Sequence, residues 1–490
     1  MKKVKAYLKT IDEVIEKGRF KDSWDSLKQI TTPEWYKNSK FGIFIHWGVY
    51  SVPAYCDEWY SRKMYQEGTH VFLHHEKTYG KHSNFGYKDF IPMFKAEKFN
   101  AEDWAQLFVQ AGAKYVMPVA EHHDGFQMYD SDLSVNNAVQ MGPKQDVLGE
   151  LKKAVEAKGI VFAASSHRVE HYWFMSPGQL FESDISNPAR DDIYWPSVVM
   201  PDSVRYEAEG IVDVAPEFLE DWLARTCELV DEYRPKIVYF DWWIHVECMK
   251  PYLKKFAAYY HNRADEWGEA VAINYKHDAF MHQTAVADIE RGQLSGISPD
   301  FWQSDTSVAN NSWCYTENNE YKKPRDIICI LIDVVSKNGA LLLNIGPKAD
   351  GTIPDKDREI LTEIGIWLKQ NGEGIYNTTY WKRFGEGPTQ TPDGFFTDSR
   401  SMNYTAEDFR FTYSNGNLYA FAMNWPSDGV VRIKSLGNYI KGVYCGLVKN
   451  VSILGFEGKD MRIVRCNDHL TVIAPDVQSK YPVCIKIALG

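Results

Sequence analysis

The chain has 490 residues, of which 44% are hydrophobic and 25% charged; these are ordinary globular values and exclude collagen-like and disordered classes. Its net charge of −11 argues against a nucleic-acid or anionic-membrane partner, and no apolar run approaches the roughly 20 residues that cross a bilayer. Aromatic residues reach 14%, with 16 Trp, a surplus that suits a cleft in which rings stack on sugar C–H faces, although Trp also fills cores.

The cysteines and the N-terminal residues bear on location. The eight cysteines are scattered without a CxxC pair, so we expect reduced, buried thiols rather than a zinc or redox motif. The N-terminal residues are charged throughout and lack the apolar segment of a signal peptide. Both observations favour a cytoplasmic protein.

From Phe41 to about Gly374, short apolar runs alternate with amphipathic helical patterns. The runs predict strands, several of them apolar throughout, as in strands buried on both faces of a parallel sheet. They are Phe41–Ile45, Tyr115–Ala120, Ile160–Ser165, Lys236–Asp241, Val271–Asn274, Val286–Asp288, Ile297–Trp302 and Ala340–Asn344. The alternation predicts a (β/α)8-like TIM barrel over residues 1–375. A doubly wound open sheet is the alternative, but no GxGxxG or GxxxxGK[ST] motif follows an early strand.

After Tyr376 the helical stripes stop, and short alternating runs appear between turn residues. These runs predict a C-terminal antiparallel β-sandwich over residues 376–490. They are Phe409–Tyr413, Leu418–Met423, Val430–Ile433, Met461–Arg465, Leu470–Ile473 and Val483–Ile487.

Four predicted strand ends carry polar side chains, at the end of the strands where barrel enzymes place their active sites. The first strand ends at His46, and the second runs into EHHDGF with His122 and His123. The fourth strand ends at Asp241, which Phe240, Trp242 and Trp243 flank, and the sixth runs into DIERG with Glu290. A backbone-bound histidine, a helix N-cap and a solvated salt-bridge cluster are the structural alternatives.

The adjacent histidines raise the question of a metal. On a strand, His122 and His123 would point to opposite faces, and no HExxH motif accompanies them. We therefore expect hydrogen bonds to a polyhydroxyl ligand, with no metal and no cofactor. A metal-dependent hydrolase built on these histidines and Asp241 is the alternative.

Asp241 and Glu290 suggest a carboxylate pair. Glycoside hydrolysis requires one ionised and one protonated carboxyl group, whose pKa values their surroundings separate. In a retaining enzyme the first attacks the anomeric carbon, and the second protonates the leaving oxygen and then deprotonates water. Serine hydrolase chemistry has less support, because no GxSxG motif occurs.

Several long motifs lie between Trp35 and about Trp381: WYKNSKFGIFIHWGVYSVPAY, EWYSRKMY, EHHDGFQMYDSDLS, GPKQDVLGEL, FWQSDTS, NSWCYTEN and VVSKNGALLLNIGPKADGTIP. In sequence and order they resemble the α-L-fucosidase family, glycoside hydrolase family 29. TAEDFRFTYSNGNLYAFAMNWP resembles the C-terminal sandwich of that family. The resemblance thus covers nearly the whole chain.

The resemblance implies a retaining exo-hydrolase that releases terminal α-L-fucose from fucosylated glycans by double displacement. Asp241 matches the nucleophile, and Glu290 best matches the general acid/base, whose loop varies in the family; Glu317 is the fallback. Other positions match those that hold the fucose hydroxyls or line the pocket for its methyl group. The former are His46, Glu58, Trp59, His122 and His123, and the latter are Phe44 and Trp313.

The chain departs from the family's pattern in four places. Gln145 stands where the GPKRD motif frequently has an Arg. Glu121 precedes the paired histidines, where a Lys is usual. SSHRVEHYW follows the third strand, where some members carry a Tyr, so His167 and Glu170 are further site candidates. Lys276 or His277 stands where some members carry an Arg.

Two other functions fit the same residues. An α-L-galactosidase would differ in its substrate only by a hydroxyl on C6, which an apolar pocket does not strongly reject. A catalytically silent fucose-binding homologue is disfavoured because both carboxylates are present. The sequence leaves the glycan linkage and homo-oligomerisation open.

Overall fold

Eight parallel strand positions close into a barrel in the computed structural model, which describes residues 2–200, 214–399, 401–440 and 446–490. The third position is divided at Ala163 into two short strands. The strands are β1 (Phe41–Ile45), β2 (Tyr115–Glu121), β3 (Val161–Phe162), β4 (Ala164–Ser166), β5 (Ile237–Phe240), β6 (Ala272–Tyr275), β7 (Val286–Glu290), β8 (Trp302–Ser307) and β9 (Gly339–Ile345). β1 pairs with both β2 and β9, which closes the ring and confirms the predicted barrel over the open sheet.

One barrel strand lies later in the chain than predicted. The expected run Ile297–Trp302 precedes β8, whose sequence WQSDTS is polar although every residue is buried. Gln303 explains this composition, since it bonds inside the barrel with Tyr36 and Asp288. A search for apolar runs therefore selected the flanking segment and missed a strand with polar inward-facing residues.

Amphipathic helices surround the barrel. Within the described ranges they are α1 (Lys2–Lys17), α2 (Trp24–Leu27), α3 (Glu34–Ser39), α4 (Tyr60–Lys63), α5 (His70–Tyr79), α6 (Ala101–Gln110), α7 (Val147–Ala157), α8 (Pro216–Tyr233), α9 (Lys250–Trp267), α10 (Pro324–Ser336) and α11 (Asp355–Asn371). Short 3₁₀ turns occupy Val49–Ser51, Tyr87–Met93, Arg168–Tyr172, Ser176–Leu180, Glu247–Met249, Gly372–Gly374 and Lys434–Leu436. Residues 276–301, all described, connect β6, β7 and β8 without a helix, so the barrel is (β/α)8-like rather than regular.

Aromatic side chains fill the barrel below its carboxyl-terminal mouth. Tyr36 of α3 enters from the opposite end and donates a hydrogen bond to Gln303 at 2.7 Å. Tyr115 of β2 and Tyr239 of β5 belong to the same buried cluster. This layer closes the interior beneath the carboxyl-terminal ends of the strands.

Two antiparallel sheets follow the barrel, as predicted. One contains β10 (Thr379–Glu386), β11 (Phe409–Ser414), β12 (Asn417–Ala422), β17 (Val483–Leu489) and β14 (Val448–Ile453). The other contains β13 (Val430–Ile433), β16 (Leu470–Ile473) and β15 (Arg462–Arg465). A separate apolar core lies between them. The sequence missed β10 and β14, since both are edge strands whose half-exposed, charged residues hide the alternation.

Buried polar contacts fix the sandwich to the barrel helices. Asp333 of α10 pairs with Lys337 at 2.6 Å and with Arg410 of β11 at 2.5 Å, and all three are buried. The indole of Trp367 in α11 donates to Pro482 O at 2.9 Å. The sandwich is therefore held in one position relative to the barrel. The division at residues 375 and 376 stays a prediction.

The remaining sequence expectations concern cysteines and location. The seven described cysteines are free, but Cys56, Cys248 and Cys466 are only half-buried, so the expectation of burial holds for the other four. Cys445 lies outside the described residues. Within the described ranges, none of the helices combines the length and apolar character that crossing a bilayer requires. The cytoplasmic location stays a prediction.

Candidate active site

A cavity of about 870 Å³ opens where the barrel strands end. All nine side chains that the sequence singles out for catalysis or sugar binding line it. They are Phe44, His46, Glu58, Trp59, His122, His123, Asp241, Glu290 and Trp313. Four barrel strand ends and two further loops, far apart in the chain, thus converge on one space.

Asp241 follows β5 directly and is surrounded by donors. His167 Nδ1 lies 3.1 Å from Asp241 Oδ2, His123 Nε2 lies 3.6 Å from the same oxygen, and Lys276 Nζ lies 3.9 Å from Oδ1. Burial would raise the pKa of the Asp241 carboxyl, but His167, Lys276 and His123 together hold it well below its usual value. Asp241 is therefore ionised, as a nucleophile must be.

Ser165 holds the histidine beside Asp241 in place. The hydroxyl of Ser165 lies 3.1 Å from His167 Nε2, on the other side of the ring from Asp241. This arrangement lets Nε2 accept from the hydroxyl while Nδ1–H donates to the carboxylate. The strand end of β4 thus fixes both the orientation of the ring and the charge of its partner.

Glu290 ends β7 and shares Lys276 with Asp241. Lys276 Nζ lies 2.8 Å from Glu290 Oε2 and 3.9 Å from Asp241 Oδ1, so those two oxygens are no farther apart than the sum of these distances. That limit accommodates the spacing of about 5–5.5 Å in retaining glycosidases and excludes most of the range of about 6.5–9.5 Å in inverting ones. Trp242 Nε1 also donates to Glu290 Oε2.

Lys276 lies beneath the cavity among four carboxyl groups. Besides Asp241 and Glu290, its ammonium lies 3.1 Å from Asp288 and 3.5 Å from Asp305. Burial would lower the pKa of Lys276, but the surrounding carboxylates raise it well above its usual value. Burial, together with Asp288, raises the pKa of Asp305 well above its usual value. One buried cation therefore contacts all four carboxyl groups.

Three neutral histidines, His46, His122 and His123, form another wall of the cavity. Burial lowers the pKa of His46 and His122 well below the usual value and that of His123 to about 3. His46 Nδ1 lies 2.7 Å from Asn344 Oδ1, whereas the buried His122 Nδ1 has no partner among the described residues. Neutral imidazoles offer both a donor and an acceptor, which suits sugar hydroxyls.

The structure corrects one premise about these histidines. β2 ends at Glu121, so His122 and His123 lie past the strand in a turn, and both face the cavity with ring centroids 4.3 Å apart. His46, His122 and His167 could each offer a metal-ligand atom within 4.8 Å of the others, and so could His123, His167 and Asp241. Opposed side chains are therefore no argument against a metal; activity in the presence of a chelator distinguishes the two hypotheses.

Glu58 and Trp313 connect two loops at the cavity wall. Glu58 Oε2 accepts a hydrogen bond from the backbone N–H of Trp313 at 3.0 Å. Burial, and then the neighbouring Asp57, raise the pKa of Glu58 to about 7. The ring of Trp313 lies 6.2 Å from that of Phe44, which gives this side of the cavity an apolar surface. Trp59 packs edge-on against Phe174 on the other side.

Glu121 and Glu170, two of the residues that depart from the family's pattern, occupy different environments. Glu121 and Arg168 pair at 2.5 Å beneath the cavity, and Arg168 also pairs with Asp221, so a buried ion network occupies the place of the family's usual Lys. Glu170 faces the cavity, and its buried Oε2 lies 3.9 Å from His123 Nε2 but has no hydrogen-bond partner among the described residues. Burial, and then the charges of Asp241 and Glu290, raise the pKa of Glu170 well above its usual value.

Not every sequence expectation falls in the cavity. Glu317, the fallback acid, is exposed and does not line it. Phe240, expected beside the site, points outward and packs on Trp222 and Phe256. Sequence reasoning missed Phe396, which comes from the connection between β10 and β11 and carries no motif.

The barrel mouth of this protein holds two carboxyl groups surrounded by aromatic rings and neutral histidines. Such a pair of carboxyl groups is what glycoside hydrolysis requires. A family model described as Alpha-L-fucosidase matches residues 8–373. Plasma alpha-L-fucosidase of Pongo abelii is 30% identical over 425 residues, which are 84% of this chain and 80% of that protein. Alpha-L-fucosidase of Dictyostelium discoideum is 28% identical over 453 residues, 88% of this chain and 87% of that protein.

Solved structures agree. Thermotoga maritima alpha-fucosidase in complex with fucose matches with a TM-score of 0.73 and 28% identity, over 96% of this chain and 100% of that chain. The chain belongs to the α-L-fucosidase family, as its motifs predict.

Proposed function

We propose that this protein is a retaining exo-hydrolase of terminal α-L-fucosides, with Asp241 as nucleophile and Glu290 as general acid/base. The observation that carries this assignment is the shared cation: Lys276 contacts both carboxylates, and the resulting upper limit on their separation accommodates the spacing of retaining enzymes. The names of the relatives, and the fucose in the Thermotoga maritima complex, support L-fucose as the sugar.

In the first step Asp241 Oδ attacks the anomeric carbon while Glu290 gives its proton to the leaving oxygen. A covalent glycosyl–enzyme ester forms, the glycosidic bond breaks and Glu290 becomes a carboxylate. The Lys276 ammonium, 2.8 Å away, stabilises that carboxylate. As Asp241 loses its charge in the ester, the total charge around Lys276 stays constant.

In the second step the Glu290 carboxylate removes a proton from water, whose oxygen attacks the anomeric carbon. The ester breaks, Asp241 regains its charge and fucose leaves with its original anomeric configuration. The low pKa of Asp241 makes it a better leaving group in this step. No redox partner or cofactor is required by the balance of these two steps.

Specificity follows from the two walls of the cavity. His46, His122 and His123 offer donors and acceptors to hydroxyls, and Glu58 lies beside Trp313. Phe44 and Trp313 present the apolar surface for the C6 methyl group. Terminal fucosyl glycans are therefore the substrates that we propose.

Proton NMR of the first product formed from an aryl α-L-fucoside tests this function. We expect α-L-fucose to appear first and the β-anomer to grow only by mutarotation. Initial release of β-L-fucose would refute retention, and no release from any fucoside would favour a silent binding protein. Faster hydrolysis of the matching α-L-galactoside would instead favour the galactosidase.

A further inference from the structure

The cavity changes from a buried inner end to an exposed outer end. Phe44, His46 and His122 at the inner end are almost fully buried. At the outer end Trp242 is half-buried, and His277 and Phe396 are exposed. Glu290 is buried and accepts a hydrogen bond from Trp242 at the outer end, so a sugar bound at the inner end would direct its leaving group outward past this carboxyl.

Phe396 is an exposed aromatic residue brought to the site by the sandwich. Its side chain is 56% exposed although it lines the cavity. It belongs to the sandwich loop, which we define as residues 387–399, between β10 and the remainder of the connection to β11. A single exposed apolar side chain is common, but contiguous apolar groups exposed together mark ligand-binding grooves.

Main-chain hydrogen bonds fix the sandwich loop beside the candidate acid. Gly394 and Gln293 exchange two bonds, at 2.8 and 3.2 Å. The N–H of Phe396 donates to Glu290 O at 2.9 Å. Phe396 has φ 55°, a left-handed conformation uncommon for residues other than glycine, which these bonds maintain. The position of its ring is thus set relative to Glu290.

Trp242 completes a pair of aromatic faces. Its ring is stacked with that of Phe396, with centroids 5.9 Å apart and an interplanar angle of 11°. The same indole donates its N–H to Glu290 Oε2. The rings therefore stand beside the carboxyl that would protonate the leaving group.

We propose that Phe396 and Trp242 form the subsite for the sugar ring to which the departing fucose is attached. The inference rests on the proposed function, since it takes Glu290 as the acid at the leaving oxygen. A pyranose has an apolar C–H face that packs on aromatic rings. The sandwich is thus part of the substrate-binding surface, through one loop.

Two poor leaving groups that differ in size test the subsite. The hydrolysis of both methyl α-L-fucoside and a fucosyllactose requires the general acid. Only the fucosyllactose has a second sugar ring that could occupy the subsite. We would measure kcat/KM for both with wild type, Phe396→Ala and Phe396→Tyr, using whichever of 2′- and 3-fucosyllactose the wild type cleaves faster. Tyr439→Ala, at an 81% exposed aromatic on the sandwich, is the matched control.

We expect Phe396→Ala to lower kcat/KM for the fucosyllactose about tenfold, corresponding to ~1.4 kcal/mol. We expect kcat/KM for the methyl fucoside to fall less than about twofold. Phe396→Tyr, which keeps the ring face, should retain most of the wild-type preference. Equal losses on both substrates would overturn the proposal, because Phe396 would then act by supporting Glu290. No loss on either would also overturn it. If wild type cleaved no fucoside at all, the proposed function itself would fail, which a subsite defect cannot mimic.

Discussion

Replacing His167 by Ala tests how the structure keeps Asp241 ionised. The substitution removes a donor 3.1 Å from Asp241 Oδ2, while His123 and Lys276 remain at 3.6 and 3.9 Å. A hydrogen bond to a charged group contributes about 1.5–3 kcal/mol, and one pKa unit corresponds to about 1.4 kcal/mol. Losing a partner that favours the ionised form raises the pKa of Asp241, by roughly one to two units.

The assay is the pH dependence of kcat/KM for an activated aryl α-L-fucoside, which makes little demand on the acid. Since the nucleophile must be ionised, the acidic limb of the profile should move to higher pH by roughly one to two units. Ser165→Ala, which keeps His167 beside Asp241, should shift the limb less. Enzyme returned from acid to neutral pH must regain activity, to exclude unfolding. An unmoved limb, or one moved to lower pH, would refute this account of the charge on Asp241.

Three further outcomes follow from the structure. Glu290→Ala should slow the hydrolysis of methyl α-L-fucoside far more than that of a dinitrophenyl α-L-fucoside, because only the methoxide leaving group requires a proton. Equal losses in kcat/KM on the two substrates would contradict the acid role of Glu290. Since burial raises the pKa of Glu170, the stability that its neutral form provides is lost as pH rises from the unfolded pKa toward the folded one. Thermal unfolding should therefore show that Glu170→Gln becomes more stable relative to wild type as the pH rises above about 5, by up to about 1.4 kcal/mol per pH unit. Parallel stability curves would argue against this. Arg168→Met should destabilise the protein by about 3–5 kcal/mol, because it removes one ion-pair partner of the buried Glu121 carboxylate. Lys3→Met, which removes an exposed ion pair, should change Tm little. Similar Tm values for the two variants would count against a stabilising role of the buried network.

Strand ends made much of the cavity predictable. Runs of apolar residues placed β1, β2 and β5 within a residue or so of their observed bounds, because strands buried on both faces carry little else. A polar residue directly after such a run, as Asp241 is, must lie at the barrel mouth. Strand ends alone therefore predict that residues distant in the chain lie close together, without any knowledge of their contacts.

Other features depend on contacts that no local pattern records. β8 escaped the apolar criterion because Gln303 and Asp305 bond inside the barrel. Phe240 was expected at the site, but side chains alternate along a strand, and its neighbour Asp241 takes the inward direction. Phe396 reaches the cavity only because the sandwich loop pairs with residues after β7. The sequence alone does not specify that pairing across more than a hundred residues.

The configuration of the azide formed by an Asp241→Gly variant tests the central claim most directly. With azide and an activated aryl α-L-fucoside, the account predicts restored turnover and β-L-fucosyl azide, because azide occupies the vacated place of the carboxylate and displaces the leaving group once. Glu290→Gly with azide should give the α-azide, since the covalent intermediate still forms on Asp241. Undiminished hydrolysis by Asp241→Gly, or an α-azide from it, would contradict Asp241 as the nucleophile.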